Sequence, residues 1–246
     1  MTLPEVAALL GLNLALIVAA ALGLWGLSLR LKDVGFVDGA WPLGMLFLAL
    51  ATFPRTEGDP VRKGLLLWLC AVWAIWLGWR LLLRWRETGG DRRYARIIEA
   101  QRREQGWSFR RTALLLVFLP HAVLAWLVGL PVQLGQVGPT PMGWIGWIGA
   151  LIVVAGIALE NIGAAQLAAF RRDPAHADRT PDTGLWRRVR NPGYVGDACV
   201  WWGLWLIAAE TGWVGAASIA GPVVLTFTLM RWSGWPIKST ATSKPK

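Results

Sequence analysis

Cysteine and histidine are nearly absent: each occurs twice in 246 residues. That excludes a zinc site built on several thiolates or imidazoles. Cys70 and Cys199 both fall in apolar stretches, which points to small buried roles and away from a disulfide framework. No Gly-x-Gly-x-x-Gly follows a strand pattern, and no P-loop is present. A nucleotide, if bound, is held by arginines, amides and helix ends. Charge is scarce, at 16% of residues. Long linkers and low-complexity blocks are missing. The first apolar run has no basic start and carries its charges after it, so it does not read as a cleavable leader.

Apolar residues dominate instead, at 55%, with a mean hydropathy of +0.44. Runs near 20 residues long read as transmembrane helices, because only a helix satisfies its own backbone in lipid. Seven are expected, at about 6–29, 34–53, 64–83, 112–134, 142–169, 194–209 and 211–230. The expected fold is an all-α, polytopic membrane helical bundle, with residues 1–246 as a single integral membrane domain. Segments 84–111 and 170–193 read as basic cytoplasmic loops, and 237–246 as a short disordered tail. Around Tyr94-Ala95-Arg96-Ile97-Ile98 the first loop can form an amphipathic helix on the membrane surface. Segment 131–141 carries no charge but has Pro131, Pro139 and Pro141, and reads as a tight external connection. Glu210-Thr211-Gly212 closes the last two spans into a hairpin.

The net charge is +10. With seven spans, the only Lys and Arg placed opposite the rest are Arg55, Arg62 and Lys63; six spans would split the pattern. Basic loops stay cytoplasmic, so the N-terminus is expected outside and the C-terminus inside. The charge then needs no nucleic-acid partner; anionic lipid head groups suffice. Arginine far outnumbers lysine and alanine is abundant, which suggests a GC-rich bacterial genome and an inner-membrane location.

Gly149, Gly156 and Gly163 recur every seven residues, a stripe that lets helix backbones approach closely. The 18 tryptophans gather near span ends as an interfacial belt. Trp41, Trp201 and Trp202 accompany polar residues, and they also suit an aromatic wall for a flat lipid substrate.

Several polar groups lie within the spans: Asp38, Glu160, Asn161, Gln166 and Asp197. Arg80 and Arg84 share a face at the end of the third. A carboxylate in a bilayer is costly and marks a site or a tie between helices. Two readings follow. Either Asp197 and Glu160 pair with Arg80, Arg84 or Arg190 to hold helices together, or these groups line a cavity open to the cytoplasm. His121 alone carries no inference and reads as interfacial or packed.

These residues fall in an order that resembles the bacterial multi-pass proteins related to the steroid 5-alpha-reductase C-terminal domain. The likeness covers about residues 30–236. It includes Val37-Asp38 with Trp41, Trp79-Arg80-Leu81 with Arg84, and Asp91-Arg92-Arg93-Tyr94. Glu160, Gln166, Phe170 and Asp173-Pro174 follow. It is densest from Asp182-Thr183-Gly184-Leu185-Trp186 through Arg190, Pro192, Tyr194, Gly196 and Asp197, and it ends at Ser233-Gly234 and Pro236. The resemblance implies a membrane enzyme that uses NADPH to reduce an activated C=C bond in a steroid-like or other hydrophobic lipid. It implies cofactor contacts at Arg80, Arg84, Glu160, Arg190, Asn191, Tyr194 and Asp197. Trp41 and Trp201 would contact substrate. Asp38 would be catalytic, its carboxyl donating to a substrate carbonyl. The wider fold group includes isoprenylcysteine carboxyl methyltransferases, which share the Arg-x-Pro-x-Tyr-x-Gly pattern, so S-adenosylmethionine and methyl transfer are the alternative. The chain departs from the reductase pattern at Gly193, Asp197, Ala164 and Leu77. After Pro236 it also lacks the acid and paired tyrosines of relatives. A non-catalytic membrane binding protein is therefore a third expectation.

Overall fold

The computed structural model describes residues 1–89, 92–173 and 181–232. Asp91, Pro174, Ser233-Gly234, Pro236 and the 237–246 tail lie outside them. The described residues are helical, without a strand. Helix α1 runs over Leu3–Leu31, α2 over Val37–Thr52 and α3 over Pro60–Thr88. Asp59 caps α3 by accepting from the Arg62 backbone N–H at 2.8 Å, and Gly89 ends it in the left-handed region at φ 69°. Helix α4, Arg92–Gln105, occupies much of the first basic loop, so the amphipathic helix suggested around Tyr94 is present.

The next span begins as α5, Phe109–Thr112, and passes through a π-helical stretch, Ala113–Phe118, into α6, Leu119–Val128. Pro120 explains the π turn. It lacks an N–H and clashes with the carbonyl four residues back, so the ladder shifts, and the Leu119 N–H reaches Leu114 O. Helix α7 follows at Leu130–Leu134 and α8 at Trp144–Phe170. Then come α9 at Leu185–Arg188, α10 at Pro192–Ala209, α11 at Trp213–Ala217 and α12 at Ala220–Trp232.

Among the described residues six segments are long and apolar enough to cross a membrane: Leu3–Leu31, Val37–Arg55, Pro60–Thr88, Phe109–Val128, Trp144–Phe170 and Trp213–Arg231. The chain is a multi-pass helical membrane protein. The expected count of seven included α10, which is not among the six. Its 18 residues reach about 27 Å, but Asp197, Tyr194, Pro192 and three tryptophans reduce its apolarity. It packs within the bundle against α8, α12, α7 and α3.

The glycine stripe of α8 does what the spacing suggested. A Cβ on Gly149 would fall 2.6 Å from the Gly203 carbonyl oxygen, and one on Gly156 2.7 Å from that of Gly196. Gly196 and Gly203 on α10 form the reciprocal stripe. The two backbones touch, which positions Glu160 against α10.

The 131–141 segment corrects its sequence reading. It is not simply an external connection. Residues 130–137 are all buried, and Gln133 bonds Asn13 at 3.0 Å and the Trp126 carbonyl at 3.0 Å. Gln136 donates to Ala49 O at 3.1 Å. Prolines and the absence of charge fit a plug at this end as well as a solvent loop. The hairpin at Glu210 is present, with Gly212 at φ 98°. Glu210 accepts from the Gly143 N–H at 2.8 Å. Both cysteines are free.

Candidate functional site

Two polar clusters lie at the basic end of the bundle, where α2 starts and α3 finishes. The helices meet closely there: a Cβ on Gly39 would fall 2.6 Å from Leu82 and 3.1 Å from Gly78 O.

The first cluster joins α3, α8 and α10. The Arg80 guanidinium donates through Nη2 to Glu160 Oε1. Glu160 is 2% exposed, whereas the Arg80 side chain is 32% exposed. Such an ion pair is viable only with close geometry, because the carboxylate leaves water and the guanidinium partly does. Among the described residues Asp197 is not paired with an arginine. It accepts from Trp73 Nε1 at 3.2 Å. Trp73 stacks edge to face on Trp201 at 5.4 Å between ring centroids, and on Trp41 at 6.5 Å. Three buried donors in this neighbourhood have no hydrogen-bond partner among the described residues: Arg80 Nη1, Trp41 Nε1 and Trp201 Nε1. Unpaired buried donors are uncommon and mark strain, catalysis or a missing acceptor.

The second cluster hangs on Asp38. The Tyr94 hydroxyl of α4 donates to Asp38 Oδ1 at 2.5 Å. Arg93 Nη2 reaches Asp38 Oδ2 at 3.1 Å. His121 of α6 stands 3.2 Å from the Tyr94 oxygen through Nε2, and its Nδ1 is 2.7 Å from Val117 O in the π stretch. The two clusters meet on α2, where Asp38 and Trp41 lie within one turn.

The site residues suggested by the sequence divide accordingly. Arg80, Glu160, Asp197, Trp41 and Trp201 come together, and Asp38 joins them through α2. Arg84 and Arg190 are exposed and outside both clusters; neither pairs with Glu160 or Asp197 among the described residues. Asn191 is the N-cap residue of α10, without a side-chain cap bond. Tyr194 is half-buried and packs on the core. Trp202 donates to Thr226 at 3.1 Å, away from this group. His121, which the sequence left as interfacial or packed, belongs to the Asp38 cluster. Trp73 was also missed, although it lies seven residues before Arg80, a spacing that puts both on one helix face.

A groove of about 420 Å³ is lined by Ile162, Gln166, Gly184, Leu185, Arg187 and Arg188. Gln166 fixes its floor by accepting from the Leu185 N–H at 3.0 Å. It opens on another face of α8 from the one that bears Glu160, so it neighbours the first cluster and does not contain it.

No curated protein and no solved structure matches this chain. The family described as "Protein of unknown function (DUF1295)" matches residues 24–246, and the chain belongs to that family.

Proposed function

We propose that this family member is an NADPH-dependent membrane reductase acting on an activated C=C bond of a steroid-like or other hydrophobic lipid. The observation that carries the reading is the Arg80–Glu160–Asp197 cluster, walled by Trp41, Trp73 and Trp201, with three buried donors lacking partners among the described residues. Buried donors are costly until something accepts from them. A ligand with carbonyl, carboxamide or phosphate oxygens supplies the acceptors. The exposed Arg84, Arg187, Arg188 and Arg190 suit phosphates, which guanidinium binds in a fork. Glu160 and Asp197 can only accept when ionised, which suits ribose hydroxyls and a carboxamide NH2. By this test the residues fit a phosphorylated dinucleotide.

Arg80, Arg84, Glu160, Arg190, Asn191, Tyr194 and Asp197 would hold the cofactor, which supplies the hydride when bound. The chain's own part is orientation, exclusion of water and supply of a proton near Asp38. The tryptophan wall suits a flat apolar substrate. In this reading α10 crosses as a seventh span, the basic end faces the cytoplasm and the N-terminus lies outside, in a bacterial inner membrane. The likeness of the family to steroid 5-alpha-reductases supports the same class.

The test is thermal unfolding of the purified protein titrated with NADPH and with S-adenosylmethionine. A ligand that binds only the folded state raises the midpoint by mass action. NADPH alone raising it is the expected result. A response to S-adenosylmethionine alone would move the assignment to a methyltransferase. No response to either would favour a non-catalytic binding protein.

A further inference from the structure

We infer that Asp38, Tyr94 and His121 form a proton relay, with the Tyr94 hydroxyl as the group that delivers. A count of hydrogens carries the inference. His121 Nδ1 lies 2.7 Å from Val117 O. A carbonyl only accepts, so Nδ1 bears the hydrogen. The other ring nitrogen, Nε2, faces the Tyr94 oxygen at 3.2 Å, and that oxygen is 2.5 Å from Asp38 Oδ1. Each of these two contacts needs a hydrogen between its heavy atoms. The phenol has one to give. The other must sit on His121 Nε2 or on the Asp38 carboxyl.

Two arrangements therefore satisfy the same heavy-atom geometry. In one, His121 carries hydrogens on both nitrogens and Asp38 is ionised. In the other, His121 is neutral and Asp38 is a carboxylic acid. They interconvert when both hydrogens move through the Tyr94 oxygen, with no change of rotamer. Direct transfer is not available, since Nε2 and Asp38 Oδ1 are 3.9 Å apart. The short Tyr94–Asp38 contact is the length of a hydrogen bond to a charged oxygen.

The surroundings give the relay a direction. Tyr94 is 5% exposed. Asp38 is 20% exposed and touches Arg93, whose side chain is 55% exposed. Among the described residues Arg93 on α4 is the charged group that faces Asp38 beside the relay itself. Asp33, just before α2, is engaged instead with Trp85 Nε1 at 2.6 Å. The His121 side chain is 26% exposed, so both ends of the unit are more open than the Tyr94 hydroxyl between them, and the exposed Arg93 sets the Asp38 end beside water. The unit draws on α2, α4 and α6, and its far end depends on the π stretch that Pro120 imposes. π turns of this kind often occur at functional sites.

The delivery step rests on the reductase reading; the relay itself does not. As the C=C bond is reduced, the Tyr94 O–H bond breaks and the proton passes to the substrate. The relay proton, from Nε2 or from Asp38, forms a new O–H bond on Tyr94. The unit is then one proton short and refills from water at the Asp38 end.

Nitrogen-15 NMR of the full chain in lipid nanodiscs tests this. In a His176→Ala background His121 is the sole histidine. Its Nε2 resonance is expected between the positions of protonated and bare imidazole nitrogen. It should move in both Tyr94→Phe and Asp38→Asn, while the Nδ1 resonance stays. Thermal melting checks that each variant remains folded. A folded Tyr94→Phe protein with an unchanged Nε2 resonance would overturn the relay, whatever the outcome with NADPH. If NADPH-dependent reduction of a hydrophobic enone is observed, Tyr94→Phe should lower kcat by about 100-fold or more with the KM for NADPH unchanged. A kcat within about twofold of the parent, against that scale, would overturn the delivery role.

Discussion

Arg62 and Arg80 lie on the same face of α3, five turns and about 27 Å apart, yet they are treated differently. Arg62 is fully buried. It donates to the carbonyls of Gly138 and Pro141, both at 3.3 Å, and so fastens the connection before α8. Beside it Lys63 bonds the Thr56 carbonyl. These were two of the three basic residues placed opposite the rest, and they are folded into protein. Arg80 binds a carboxylate and keeps a third of its side chain exposed; among the described residues each arginine leaves one nitrogen without a partner, Arg62 Nε and Arg80 Nη1. The first arginine binds backbone carbonyls of the connection before α8, as a structural clamp does. The second holds an acid beside another acid, in a cluster that Trp73 joins to the indoles of Trp41 and Trp201, which serves a ligand better than it serves the fold.

The coarsest test of this contrast is all-or-none. Reporter fusions at residue 57 should appear outside the cell, and those at residues 100 and 180 inside. A cytoplasmic reporter at residue 57 would invert the two ends and remove the reason for placing a cofactor at Arg80. Next in size is Arg62→Ala. It removes a buried side chain together with its bonds to Pro141 O and Gly138 O, the latter still accepting from the Asp59 N–H at 3.1 Å; each lost bond is worth about 0.5–1.5 kcal/mol and the emptied space adds to it. Melting should drop sharply, while NADPH affinity per folded molecule holds. A binding loss without a melting loss would end the clamp assignment.

Asp197→Asn should do the reverse. The Asn oxygen still accepts from Trp73 Nε1, and Glu160 keeps Arg80, so melting should change little. Ligand binding should weaken by roughly 1–3 kcal/mol for a lost charged hydrogen bond. Calorimetry and a melting scan on one preparation separate the effects. Early melting with normal binding would make Asp197 structural. The smallest effect is expected from Trp201→Phe. It removes an N–H that has no partner among the described residues and retains a ring against Trp73. Stability should fall by about 1 kcal/mol, from the smaller buried ring and not from a lost hydrogen bond. A shift in substrate KM alone would place the indole N–H in the lipid pocket.

The site was partly legible. Asp38, Arg80, Glu160 and Asp197 stood out because ionisable groups in apolar runs are expensive. Their pairing did not stand out, since Arg80, Arg84 and Arg190 were equal candidates until helix rotation chose Arg80. Tyr94 and His121 carried no local sign of their association. They lie on α4 and α6, and Asp38 lies far from both in sequence. Gln133 and Gln136 were similarly silent, because a short uncharged stretch with prolines suits a plug or a loop.

By itself the sequence determined the all-helical, multi-pass architecture, because lipid admits few other ways to satisfy a backbone. It also determined which helix carries a close-packing stripe, since Gly149, Gly156 and Gly163 repeat in register with the helical turn. Tertiary structure alone decided which way each helix turns its polar residues. Lipid and protein interior are almost equally apolar, so hydropathy does not fix the rotation of a span about its axis. That rotation is set by side-chain packing and by hydrogen bonds between residues distant in the chain, and it is what brought Asp38 to Tyr94 and Arg80 to Glu160.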